Sequence, residues 1–136
     1  SRTWLCGDGK PSRAQRDIYR HAWEEIQHNI SLIEPGIRFA ELAAKIYPRR
    51  AEFIKHRYPC FAHGAGMSDE YPKLYYPEDG EQQYDGRIEP GMVLCVESFT
   101  GSDQGGEGVK LEQMVLVTDS GTEPLSNYPF EDNLLS

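Results

Sequence analysis

Two short runs rich in Val and Leu, Met92 to Thr100 (MVLCVESFT) and Val109 to Thr118 (VKLEQMVLVT), each carry one glutamate at the centre. They flank the Gly-rich segment Gly101 to Gly108, a pattern that predicts an antiparallel pair of strands. Side-chain alternation places Glu97 on one face with Cys95 and Phe99, and Glu112 on one face with Lys110 and Met114. A carboxylate directed into an apolar layer is unfavourable unless it is paired or binds a metal. The fold must therefore either leave these glutamates at solvent on an edge strand or neutralise them.

The first third of the chain has a different texture. Ser12 and Gln15 have capping-box spacing, and Ala14, Ile18, Ala22, Ile26, Ile30 and Ile33 then recur at nearly helical intervals among charged residues. This predicts an amphipathic helix from Ser12 to Ile33. Pro35-Gly36 ends it, and Phe39, Leu42, Ala43 and Ile46 predict a second, shorter helix that stops before Pro48. A polar helix is expected from Arg49 to His56. Helices first and sheet second make the class α+β, and 136 residues suit a single core.

Fourteen Lys and Arg against 22 Asp and Glu give a net charge of −8. No summed positive field is available for a phosphate backbone or an anionic bilayer, so neither nucleic acid nor a membrane surface is an expected partner. No apolar run approaches the roughly 20 residues of a membrane-crossing helix. Cys6, Cys60 and Cys95 are an odd number without C-x-x-C spacing. They predict small buried thiols in a reducing compartment rather than disulfides or a zinc knuckle. His21 and His28 suit the helix surface, and with His56 they receive no role. Glu78-Asp79 with Glu81 reads as a solvated face.

The remaining chemistry lies in His63-Gly64-Ala65-Gly66, Asp69-Glu70-Tyr71-Pro72, Glu97 and Glu112. One imidazole and two carboxylates on adjacent elements make an oxygen-rich donor set, which suits manganese, iron or a dinuclear centre better than a thiolate zinc site. The glycines after His63 let a backbone or a substrate approach closely. Taken singly, each residue also has an ordinary reading: a partly buried histidine, two solvent-facing glutamates and a solvated acidic loop at Asp69.

Taken in order, His63-Gly64-Ala65-Gly66, Glu70-Tyr71-Pro72, Ile88-Glu89-Pro90-Gly91-Met92-Val93 leading to Glu97, and Leu111-Glu112 leading to Val115-Leu116-Val117-Thr118 resemble the pita-bread metallohydrolases. That family includes methionine aminopeptidase, Xaa-Pro aminopeptidase, prolidase and creatinase, and the resemblance covers nearly the whole chain. It implies that His63, Glu97 and Glu112 are ligands of a dinuclear metal centre, with Glu112 bridging. It also implies three Asp ligands upstream of Ser1. Residues 1–136 would then be the C-terminal portion of a metal-dependent catalytic domain. The first half of that domain and an N-terminal domain would lie outside this chain, the former as the partner that supplies the Asp ligands.

Peptidases of this family usually place a second His directly before the acidic-x-Pro step, where this sequence has Asp69. An ionised carboxylate is a poor stabiliser of an oxyanion but a competent proton acceptor. With Arg57-Tyr58-Pro59-Cys60-Phe61-Ala62-His63-Gly64 and the Gly-Gly-Glu-Gly hairpin at Gly105 to Gly108, this substitution resembles a divergent branch of the family in marine bacteria that cleaves dimethylsulfoniopropionate. The branch implies β-elimination to dimethyl sulfide and acrylate. The metal, iron by this resemblance with manganese, cobalt or zinc as alternatives, would bind the substrate carboxylate. Asp69 would remove the α-proton, and Tyr58 and His63 would contact the substrate. Trp4, Tyr58, Tyr75 and Tyr76 are aromatic candidates for the sulfonium. A cytoplasmic homodimer is implied as well. The alternative is a hydrolase of the same fold, either an Xaa-Pro peptidase or a creatinase-like amidinohydrolase.

Overall fold

A computed structural model of the chain describes residues 1–82 and 84–136, with residues 80 and 81 in backbone only, so the Glu81 carboxylate lies outside the described residues. Helix α1 runs Arg13–Ser31. Ser12 caps it reciprocally: its hydroxyl accepts from the Gln15 N–H at 3.1 Å, and its own N–H donates to the Gln15 side chain at 2.7 Å. The helix stops two residues short of Ile33, with Leu32 as its C-cap. Helix α2 spans only Phe39–Ala43, and the expected polar helix from Arg49 to His56 is reduced to a 3₁₀ turn, Ala51–Phe53. The reason lies in Arg49 and Phe53, which turn inward instead of lining a polar surface. The Arg49 guanidinium reaches the Tyr76 hydroxyl at 3.1 Å and the Thr100 hydroxyl at 3.0 Å, and Phe53 is buried.

The second half forms one antiparallel sheet of five strands: β1 (Cys60–Gly64), β2 (Lys73–Tyr75), β3 (Val93–Gly101), β4 (Gly108–Thr118) and β5 (Gly121–Pro124), in the order β2-β1-β3-β4-β5. The β3–β4 hairpin is the pair expected from sequence, in register from Val93 opposite Leu116 to Gly101 opposite Gly108. One face of this hairpin carries Leu94, Val96, Ser98, Val109, Leu111 and Val115, all buried. Val109 and Leu111 pack with Ile18, Ala22 and Ile26 of α1, while Leu94 and Val96 join Phe61, Leu74 and Ile88. Period-2 alternation then leaves Cys95, Glu97 and Glu112 on the opposite face.

Between α1 and β3 the packing turns polar at one point, where Ser98 and Tyr76 donate to Glu25 at 2.5 and 2.9 Å. Three expectations change here. His21 is buried rather than on the surface, its ring 4.8 Å from Phe53 and 5.3 Å from Tyr47, because the inward stripe of α1 is wider than its aliphatic residues alone suggest. Cys60 and Cys95 are buried, but Cys6 is exposed in the surface segment before α1. Asp79 is not simply solvated, since the Arg57 guanidinium pairs with it. Among the described residues, no helix is long and apolar enough to cross a membrane.

Candidate metal centre

Glu97 and Glu112 stand directly opposite each other across β3 and β4. Neither strand is an edge of the sheet. The Glu97 side chain is 1% exposed and Glu112 23%. Like charges facing across an antiparallel pair repel each other, so this register requires a compensating cation. His63 arrives from β1, where it pairs with Cys95 of β3 and so lies on the Glu97 face. Its Nε2 is 3.6 Å from Glu97 Oε1 and 4.0 Å from Glu112 Oε1.

The orientation of His63 follows from its other nitrogen. Nδ1 lies 2.9 Å from the Gly64 carbonyl, a contact in which Nδ1 donates, and the ring so held directs Nε2 at the two carboxylates. An imidazole nitrogen and two acidic side chains converging on one volume suit a bound cation. The Gly64 backbone makes this possible, because a Cβ there would collide with the Tyr71 carbonyl and with Pro72.

Protein cations and donors surround the pair. The Lys110 ammonium is in direct contact with Glu97 Oε2 and lies 4.4 Å from the Tyr58 ring centroid, which brings Tyr58 to the edge of the site. Burial pushes Lys110 down from its ordinary value, against the opposing pull of Glu112. Residues 1–3 run alongside β4, where the Ser1 hydroxyl is 3.2 Å from Glu112 Oε2 and the Ser1 carbonyl accepts the Glu112 N–H at 3.1 Å. For Glu112, burial alone would raise the carboxyl, but the Cys95 thiol, Lys110 and the Ser1 hydroxyl help to hold it below its usual value.

Both buried thiols border the cluster. Cys60 Sγ is 3.6 Å from Glu97 Oε1, and burial, followed by the Glu70 charge, pushes the thiol up to about 11. Cys95 is pushed up to about 12 by burial and then by its hydrogen bond to Glu112. One ligand atom each from His63, Cys95 and Glu112 lies within 4.8 Å of the others. The donor set of this chain thus fits a transition-metal ion. Cys95 and Lys110 were not predicted as site residues. The one sequence signal for them was the shared strand face with Glu97 and Glu112.

Asp69 is placed elsewhere. It sits on an exposed turn at φ +59°, its N–H donating to the Gly66 carbonyl at 3.1 Å, and it borders a surface depression with Tyr71, Lys73, Tyr75 and Tyr84. Among the described residues it touches none of His63, Glu97 and Glu112. Its neighbour Glu70 pairs with Lys73 at 2.8 Å, and its charge is among those that oppose the lowering of Lys110. Of the aromatic candidates, Tyr75 borders the Asp69 depression and Trp4, half exposed, lines a groove leading from Glu112 to Met114 and Tyr128. Tyr76 is no candidate, because it is buried on the α1 side of the sheet and donates to Glu25.

The chain is similar to two curated proteins named dimethylsulfoniopropionate lyase DddP. Identity is 39% with that of Roseobacter denitrificans and 38% with that of Roseovarius nubinhibens, over 99% of this chain and 30% of each relative. The chain thus spans about a third of the length of the curated relatives it matches. Its fold is similar to the Xaa-Pro dipeptidase from Bacillus anthracis, with a TM-score of 0.71 and 27% identity over 90% of this chain and 34% of that one. Residues 1–119 match the profile of Metallopeptidase family M24. The order of His63, Glu97 and Glu112 along a helix-then-sheet chain, the pita-bread likeness and that match lead to one conclusion: this chain belongs to metallopeptidase family M24, a family built around a dinuclear metal centre.

Proposed function

We propose that the protein is a metal-dependent lyase that cleaves dimethylsulfoniopropionate to dimethyl sulfide and acrylate, and that residues 1–136 form the C-terminal part of its catalytic domain. The observation that carries this reading is the identity of 38 to 39% with two dimethylsulfoniopropionate lyases over essentially the whole chain. His63, Glu97 and Glu112 would hold the metal, with Asp ligands supplied by the rest of the catalytic domain. Iron fits a set of nitrogen and oxygen donors flanked by thiols. When bound, the metal supplies Lewis acidity that makes the C–H beside a carboxylate easier to ionise.

The residues of this chain then divide the work. His63 aims its Nε2 at the two glutamates, with its Nδ1 committed to the Gly64 carbonyl. Lys110 and the Tyr58 ring form a cationic and aromatic wall beside Glu97, suited to orienting a carboxylate at one end and a sulfonium at the other. Asp69 is the base. Its carboxylate takes the α-proton, the C–H electron pair becomes the new C=C bond, and the C–S bond breaks with its electrons leaving on dimethyl sulfide.

A peptidase reading of the same centre is favoured by the fold similarity to an Xaa-Pro dipeptidase. Incubating the full-length, metal-loaded protein with dimethylsulfoniopropionate and, separately, with Xaa-Pro dipeptides distinguishes the two. Dimethyl sulfide is expected, and proline release without it overturns the lyase reading. Asp69→Asn should lower elimination by at least about 100-fold while metal content is retained. Undiminished turnover would remove Asp69 as the base.

A further inference from the structure

We infer that Arg57, clamped by Asp79, is a positioning residue that holds the Tyr58 ring at the edge of the metal centre. The substrate contact of Tyr58 rests on the proposed function, whereas the clamp rests on geometry alone. Arg57 and Tyr58 lie in the irregular segment between the 3₁₀ turn Ala51–Phe53 and β1. Pro59, next in the chain, has no N–H to offer a ladder, so this segment depends on side-chain anchors.

The two neighbours point in opposite directions. The Arg57 guanidinium reaches back toward the α1 side, 4.6 Å from the Tyr76 ring centroid and 2.5 Å from Asp79 Oδ2. The Tyr58 ring reaches the Glu97 side, 4.4 Å from the Lys110 ammonium that contacts Glu97. What receives the guanidinium is itself held in place. Tyr76 is buried and its hydroxyl donates to Glu25 at 2.9 Å, while the Asp79 N–H donates to the Tyr76 carbonyl at 2.9 Å. One turn thus offers an aromatic face and a carboxylate together, a combination that suits a planar guanidinium better than an ammonium. At 13% exposure Arg57 is largely out of water, which sets this pair apart from an ordinary surface ion pair. A shift of the Tyr58 backbone away from Lys110 has to break it.

The test couples two variants of the full-length, metal-loaded protein. Arg57→Ala is expected to lower kcat/KM for dimethylsulfoniopropionate about tenfold, but by less than about twofold in a Tyr58→Ala background, where the ring it positions is gone. A merely structural role would lower both backgrounds alike, and that result overturns the inference. Fluorine NMR of 3-fluorotyrosine-labelled protein gives a second readout, the Tyr58 resonance being assigned by its loss in Tyr58→Phe. In Arg57→Ala this resonance is expected to move toward its position in unfolded protein, and an unmoved resonance overturns the inference. Asp79→Ala removes the other half of the clamp and should reproduce both effects, so it decides if Arg57→Ala fails to fold. Wild type that releases no dimethyl sulfide, with a Tyr58 resonance that does move in Arg57→Ala, overturns the lyase reading and leaves the clamp standing.

Discussion

The Arg49 guanidinium lies 3.4 Å from the Glu25 carboxylate directly beneath the strand that carries Glu97, and both side chains are almost wholly out of water, at 4% and 0% exposure. Arg49 also donates to the Phe99 carbonyl at 2.9 Å, so the pair ties α1 to β3. Burial pushes the Glu25 carboxyl up, and Arg49 is the largest opposing influence. Arg49→Met leaves that carboxylate without its cation and should cost about 3 to 5 kcal/mol, read from the urea midpoint of the full-length protein. Replacing both residues, Glu25→Leu with Arg49→Met, should recover most of the loss. A double variant as unstable as the single one would show that the pair is not coupled.

Glu97 and Glu112 face each other with only protein cations beside them, and an ion held by both carboxylates and His63 binds the folded chain alone, so metal should stabilise the folded protein. At a free metal concentration about 1,000 times Kd the gain is about 4 kcal/mol. Thermal unfolding with and without a chelator measures it. Glu97→Gln and Glu112→Gln should each weaken metal binding and shrink the metal-dependent rise in Tm, and the chelated Glu97→Gln form should itself be less stable than chelated wild type because Lys110 loses its carboxylate. A full metal-dependent rise in both variants would exclude them as ligands.

Burial lowers His21 from 6.5 to about 4, with Arg49 and Arg50 adding to the effect. Between these values the unfolded chain binds the proton and the folded one does not, so stability rises with pH across this window and is lost as pH falls from about 6.5 to 4. Relative to neutral pH, where the ring is uncharged in both states, the loss approaches about 3 kcal/mol once the pH has fallen to about 4. In His21→Phe the dependence of the urea midpoint on pH between 4.5 and 7 should flatten. An unchanged slope would assign the acid sensitivity to other groups.

Gly64→Ala would drive a Cβ into the Tyr71 carbonyl while the Gly64 N–H is held at 2.7 Å from the Pro72 carbonyl. The backbone must separate, at a cost of about 1 to 3 kcal/mol. The unfolding midpoint and any turnover that depends on Asp69 should fall together. Wild-type values for both would mean that the turn relaxes freely.

How much of this could be read from residues alone follows from where the signal is local. Helix α1 and the β3–β4 hairpin were legible because a 3.6-residue period and a period of two persist there over many residues, and Ser12 and Gln15 mark the helix start. Strands β1 and β2 are short and lie among Gly, Pro and Tyr, so local patterning could not define them. The polar run from Arg49 to His56 misled because Arg49 has a buried carboxylate to meet, a tertiary fact invisible in helix propensity. For the site, alternation placed Glu97 and Glu112 on their strand faces. Only the β1–β3 and β3–β4 registers bring His63 and Cys95 to them. Lys110 was legible as a face-mate of Glu112, and its contact with Glu97 required the fold.

The turn bearing Asp69 is closed largely by its own backbone, with Asp69 bonded to Gly66 and Tyr71 to Ser68. It hangs between β1 and β2, at the sheet edge and outside the β3–β4 pairing that opposes Glu97 and Glu112. A residue exchanged inside it therefore leaves the carboxylate platform where it was. The turn is thus a self-contained cassette, in which one position can be altered without rebuilding the β3–β4 pairing.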